Sequence, residues 1–93
     1  MDRYMEQQVN GAAYAIATPM LIGTTAARTI AFDLENVVFD SPLDLLPGLQ
    51  IEFSIQILRA GIRLHCRGGV TSCNPMQNGR YQGTATIDAY QIG

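Results

Sequence analysis

Three stretches in the second half of the chain alternate apolar and polar residues with a period of two, the pattern of a strand with one buried face. In residues 50–58, Ile51, Phe53, Ile55 and Ile57 fall on one side, while Glu52, Ser54 and Gln56 fall on the other. Residues 62–72 put Leu64, Cys66, Gly68 and Val70 inward and Arg63, His65 and Arg67 outward. In residues 80–90, Tyr81, Gly83, Ala85 and Ile87 alternate with Gln82, Thr84, Thr86 and Asp88. Arg59-Ala60-Gly61 reads as the turn joining the first two strands. Residues 74–79, with Pro75 and Asn78-Gly79, read as a turn-rich connection to the third. Gly68-Gly69 inside the middle strand predicts a bulge or a corner, where a strongly bent sheet needs residues without side chains.

The first half alternates more weakly. Residues 13–22 form a β-prone run in which Pro19 predicts an edge strand or a strand broken in two. Gly23-Thr24-Thr25 is a turn, and residues 26–33 and 36–40 are short strands on either side of Leu34-Glu35, the second closed by Ser41-Pro42. Residues 43–48 are a loop whose apolar middle, Leu45-Leu46, would cover one end of the core. Residues 1–12 are a polar lead stopped by Asn10-Gly11, which leaves 13–93 as one domain. Five or six short strands with no helical period predict an all-β fold, a small six-stranded antiparallel barrel with little or no helix.

Composition narrows what such a barrel can do. At 93 residues the chain holds one core, and 47% hydrophobic residues are enough to fold it. Charged residues make up only 15%, against roughly 25% in typical soluble domains, and there is no lysine. A surface this poor in charge suits a domain that meets a partner or its own copy. Strand edges near Pro19 and Tyr90 have few devices to block pairing, so a weak homodimer is expected at high concentration. The net charge of −2 gives no pull toward nucleic acid or an anionic membrane. No run approaches the roughly 18 apolar residues needed to span a bilayer, so no membrane insertion is expected. The polar, mixed-charge N-terminus is unlike a secretory signal, and the expected location is cytoplasmic.

Cys66 and Cys73 lie on one expected strand, about 23 Å apart at about 3.3 Å per residue, too far for a disulfide without a sharp bend. His65 and Cys66 point to opposite faces, so no metal site is expected, and Cys66 reads as a core residue. One histidine, serines in plain contexts, and no nucleophile elbow, P-loop or zinc-protease motif leave no assembled nucleophile and base. The chain is expected not to be an enzyme and to carry no catalytic residues or cofactor.

Several segments, taken together, resemble one family. Leu46-Pro47-Gly48, an alternating strand, Leu64-His65-Cys66-Arg67-Gly68-Gly69-Val70, a polar loop and Gly79-Arg80-Tyr81-Gln82-Gly83 resemble the C-terminal part of PilZ domains. Upstream, Asn36-Val37-Val38-Phe39-Asp40-Ser41-Pro42 is similar to the family's "GGvxFxs" segment, and Tyr14 with Pro19 to its opening strand. The resemblance covers about residues 14–92 and implies a six-stranded barrel working in bacterial signalling or motility. It also implies cyclic di-GMP as a ligand, held by an RxxxR motif before the first strand and a DxSxxG motif between the next two. Paired arginines supply planar bidentate donors for phosphates and guanine edges.

Those motifs are degraded here. RxxxR falls on Val9-Asn10-Gly11-Ala12-Ala13, without either arginine, and DxSxxG falls on Asp33-Leu34-Glu35-Asn36-Val37-Val38, which keeps only Asp33. Losing two charge-assisted contacts of about 1.5–3 kcal/mol each weakens binding by on the order of a hundredfold or more. The expectation is therefore a degenerate, non-catalytic adaptor that does not bind cyclic di-GMP and contacts an unidentified protein. Its contact surface would be the outward stripe Arg63, His65 and Arg67, with Arg59 nearby, suited to an acidic partner. Against this stands a solvated face whose arginines pair with Glu52 or Asp88 across the sheet. The other functional reading is a cyclic dinucleotide receptor of non-standard site, in which Arg3 or Arg28 joins Asp33.

Overall fold

The alternating stretches become strands in the computed structural model, which describes residues 17–93, the third of them as two. Among the described residues the strands are β1 (Pro19–Ile22), β2 (Thr25–Phe32), β3 (Asn36–Ser41), β4 (Gln50–Ile57), β5 (Ile62–Pro75), β6 (Tyr81–Thr86) and β7 (Ala89–Ile92). A single turn of 3-10 helix, Gln77–Gly79, precedes β6. The strands lie in the order β4-β1-β2-β3-β6-β5, and pairing of β4 with β5 closes them into a six-stranded antiparallel barrel. β7 is an extra strand on β5, outside the ring.

The core is the set of inward positions that alternation predicts. Ile51, Phe53 and Ile55 of β4, Leu64, Cys66 and Val70 of β5, and Ala85 of β6 are buried together with Met20, Ile22, Val37 and Phe39. Gly83 is inward for a packing reason: it lies opposite Phe39 in the β3–β6 register, and a Cβ there would come within 2.5 Å of the ring. In β2 the alternation slips, because Ile30 is an extra residue between Thr29 and Ala31 where the β2–β3 register shifts. Burial accordingly passes from Ala27 and Thr29 to Phe32.

Three local expectations change and one, the corner, is made specific. The described part of the Pro19 strand is not an edge, since β1 pairs with β2 on one side and β4 on the other. Pro19 stands at its first residue, where a missing N–H costs least. The stretch expected as one strand over 80–90 is two, β6 and β7, separated by Ile87 and Asp88. The Ile87 N–H turns to the Glu35 carbonyl (2.7 Å) and the Asp88 N–H to that of Arg67 (2.8 Å), so no continuous ladder survives there. Gly68 and Gly69 mark the corner, while the register shift itself falls between Val70 and Ser72. Of the apolar loop residues, Leu45 packs on the core with Leu43, but Leu46 is 73% exposed.

The corner explains how one long strand serves two neighbours. β5 pairs with β4 through residues 62–69 on one edge, and on the other with β7 through 64–67 and with β6 through 70–75. At the bend a Cβ on Gly68 would lie 1.7 Å from the Thr86 carbonyl oxygen, so only glycine allows the two backbones to approach. The Thr86 hydroxyl accepts the Gly69 N–H at 3.0 Å, closing the bend from the side.

Candidate functional site

Pleating puts alternate side chains of β5 on opposite faces, so Arg63, His65 and Arg67 form a row on the outside of the barrel, all exposed. The spacing of i, i+2 and i+4 on a strand makes the row about 13 Å long. On one side it is flanked by Gln56, Ser54 and Glu52 of β4, register partners of Arg63, His65 and Arg67 respectively. On the other side lie Gln91 and Ala89 of β7.

Three shallow depressions follow this face. One, of about 290 Å³, lies between Glu52, His65, Arg67, Ala89 and Gln91. A second, of about 310 Å³, is lined by Gln56, Arg63, His65 and Gly93. The third, of about 450 Å³, extends over β1 and β2 and gathers Arg28, Arg63 and Arg80 with Ser54 and Gln56. Arginines from β2, β5 and the entry to β6 thus converge on one hollow that also offers a hydroxyl and an amide. Asp40, opposite Arg28 in the β2–β3 register, takes the Nε–H of Arg80 in a partly exposed ion pair.

The cross-strand pairing that would neutralise the row does not form. Glu52 lies directly opposite Arg67, yet among the described residues the ion pair is Arg80–Asp40, and neither Arg63 nor Arg67 has a carboxylate within 4 Å. Asp88 meets Arg67 through the backbone, its N–H donating to the Arg67 carbonyl. Among the described residues no carboxylate therefore occupies the guanidiniums of Arg63 and Arg67. Arg59, expected beside them, lines a different, largely apolar cavity of about 420 Å³ at the barrel end with Phe32, Ile57 and Leu58.

Of the residues of the nucleotide reading, Arg28 and Asp33 are described, and they serve different places. Arg28 lines the three-arginine hollow. Asp33 closes the β2–β3 turn instead, its Oδ1 accepting the N–H groups of Glu35 (2.7 Å) and Asn36 (2.8 Å). Glu35, at the serine position of the motif, is exposed, and its carbonyl is engaged by Ile87. Arg3 and the Val9 to Ala13 positions lie outside the described residues. Sequence reasoning did not single out Arg80, because nothing local announces that the residue before β6 reaches β3 and the hollow beyond it.

Both cysteines are free, and burial pushes the Cys66 thiol up from 9.0 to about 11, so it stays protonated and unreactive at neutral pH. The Cys73 Sγ accepts the Leu45 N–H at 3.3 Å and lies 3.7 Å from the Leu43 carbonyl, which ties the loop before β4 to β5. Among the described residues no group of three or more His, Cys, Asp or Glu side chains is placed to hold a metal ion. No helix among them is long and apolar enough to cross a membrane. Compared with protein-family models, curated proteins and solved structures, the chain matches none of them.

Proposed function

We propose that this chain is a non-catalytic, PilZ-like adaptor of bacterial signalling or motility, acting in the cytoplasm by holding an acidic segment of another protein on its arginine face. The observation that carries the reading is the exposed row Arg63, His65 and Arg67, whose two guanidiniums have no carboxylate partner among the described residues. An extended segment presents every second side chain at the spacing of that row, so acidic residues four positions apart would meet Arg63 and Arg67 together. Polar flanks at Ser54, Gln56 and Gln91 supply neutral hydrogen-bonding groups, and Glu52 opposite Arg67 is the carboxylate on that flank with which an acidic segment would compete. The test is affinity capture from the native cells with the wild type and with Arg63→Glu/Arg67→Glu. Partners held by the wild type should be lost from the variant, in a salt-dependent manner. Equal capture by both would sink the reading.

A second reading is favoured by one observation, the convergence of Arg28, Arg63 and Arg80 on a single hollow. Three guanidiniums could replace the missing RxxxR pair and hold the phosphates of a cyclic dinucleotide by a different route. The engagement of Asp33 in its own turn argues against reuse of the family's second motif. Calorimetric titration with cyclic di-GMP at low salt separates the two. The adaptor reading expects no heat, whereas saturable binding abolished by Arg28→Ala would establish the receptor.

A further inference from the structure

We infer that β7 is a self-complementary edge through which two copies of this chain pair, strand to strand, about a two-fold axis at Gln91. The barrel closes on itself through β4 and β5, so its ring strands have neighbours on both sides, whereas β7 pairs with β5 alone among the described residues. The direction of its free backbone groups follows from the ladder. Gly93 exchanges both hydrogen bonds with Arg63, its N–H to the Arg63 carbonyl at 2.9 Å and its carbonyl from the Arg63 N–H at 3.3 Å. In an antiparallel ladder alternate residues turn their backbone groups to opposite edges. Gly93 and Gln91 therefore face β5, and the N–H and C=O groups of Tyr90 and Ile92 face outward. These two residues also carry exposed apolar side chains, 49% for Tyr90 and 60% for Ile92.

That spacing makes the edge complementary to itself. With the axis at Gln91, Tyr90 of one copy lies opposite Ile92 of the other, and each such pair exchanges reciprocal backbone hydrogen bonds. An aromatic residue against a β-branched one is among the favourable cross-strand pairs. Ala89-Tyr90-Gln91-Ile92 contains no proline and no charge, so its shortness is the edge protection it has. Such a pairing also builds one sheet running through β4, β5 and β7 of both copies, with the two arginine rows on the same face. They would lie three strand spacings apart, about 14 Å, beyond the screening length of about 8 Å at physiological salt, so they do not oppose association. A single short strand per copy buries far less than the roughly 1,000 Å² of a stable interface, so the dimer is weak and concentration-dependent.

The inference does not depend on the acidic-partner reading, and its test uses no ligand. Sedimentation velocity of the full chain from micromolar to near-millimolar concentration should show a reversible monomer–dimer equilibrium. Ile92→Pro removes an outward N–H and none of the bonds to β5, and it should leave a monomer. Tyr90→Lys/Ile92→Lys places like charges opposite each other and should raise the dissociation constant about tenfold or more, whereas Tyr90→Lys/Ile92→Glu places opposite charges in register and should restore pairing. The lysine and glutamate variants leave the backbone intact, so they decide the matter even where the proline variant melts early. A wild type that stays monomeric throughout would overturn the inference. So would a dimer indifferent to all three variants, or a Lys/Glu variant no better paired than Lys/Lys.

Discussion

Cys66 shows how one burial event sets both the chemistry and the pH response of a side chain. It sits inward on β5 at 5% exposure, where its thiolate has lost its water, so its pKa rises to about 11 from 9.0. Below pH 9 the folded and unfolded chains both hold the proton, and the full stability is present. Between pH 9 and 11 only the unfolded chain releases it, so stability falls as pH rises, by about 2–3 kcal/mol in total. Urea unfolding at pH 8 and pH 10.5 should show most of this loss in the wild type, and Cys66→Ala should remove it. At this scale the sequence was largely readable, because side-chain alternation alone assigns Cys66 inward and Arg63, His65 and Arg67 outward. The role of Asp33 was not readable: a short side chain that caps its own turn looks the same in sequence as one that faces a ligand.

Among the elements, β5 is the one whose behaviour depends on a few small groups. Its fourteen residues serve three neighbours only because the chain turns at Gly68 and Gly69 against the Thr86 backbone and hydroxyl. Gly68→Ala forces a methyl into the Thr86 carbonyl and should cost about 2–3 kcal/mol or more, as overpacking does when backbone is the obstacle. Gly61→Ala is the matched control. Its φ of +65° meets open space, so only the left-handed conformation resists, at about 1 kcal/mol. Thr86→Val should cost about 1–2 kcal/mol by leaving the Gly69 N–H without its acceptor. Denaturant midpoints at unchanged m-value check all three. The paired glycines announced a corner in the sequence, but the break between β6 and β7 was hidden. Residues 80–90 alternate without interruption, and the hydrogen bonds that split them go to Glu35 and Arg67, distant in the chain.

The whole barrel is held by pairings of high sequence separation: β3 with β6 joins residues 36–41 to 81–86, and β1 with β4 joins 20–22 to 53–55. Each such ladder requires a long loop to close before it contributes any contact. Refolding after denaturant dilution should therefore take milliseconds to seconds, followed by tyrosine fluorescence since the chain has no tryptophan. Relaxation within microseconds would mean that local contacts dominate the barrier. The same non-local closure uses both edges of β1, so the expected open edge near Pro19 disappears and, among the described residues, the one near Tyr90 remains.

The sequence by itself determined most of the strand segments, their inward and outward faces, the all-β class and the exposed arginine row, because each follows from the alternation of neighbouring side chains. Tertiary structure alone decided which strands are neighbours in the ring, that β7 stands outside it, that Arg28 and Arg80 join Arg63 in one hollow, and that Glu52 forms no ion pair with Arg67. These depend on register and distance between strands far apart in the chain, which no local period encodes.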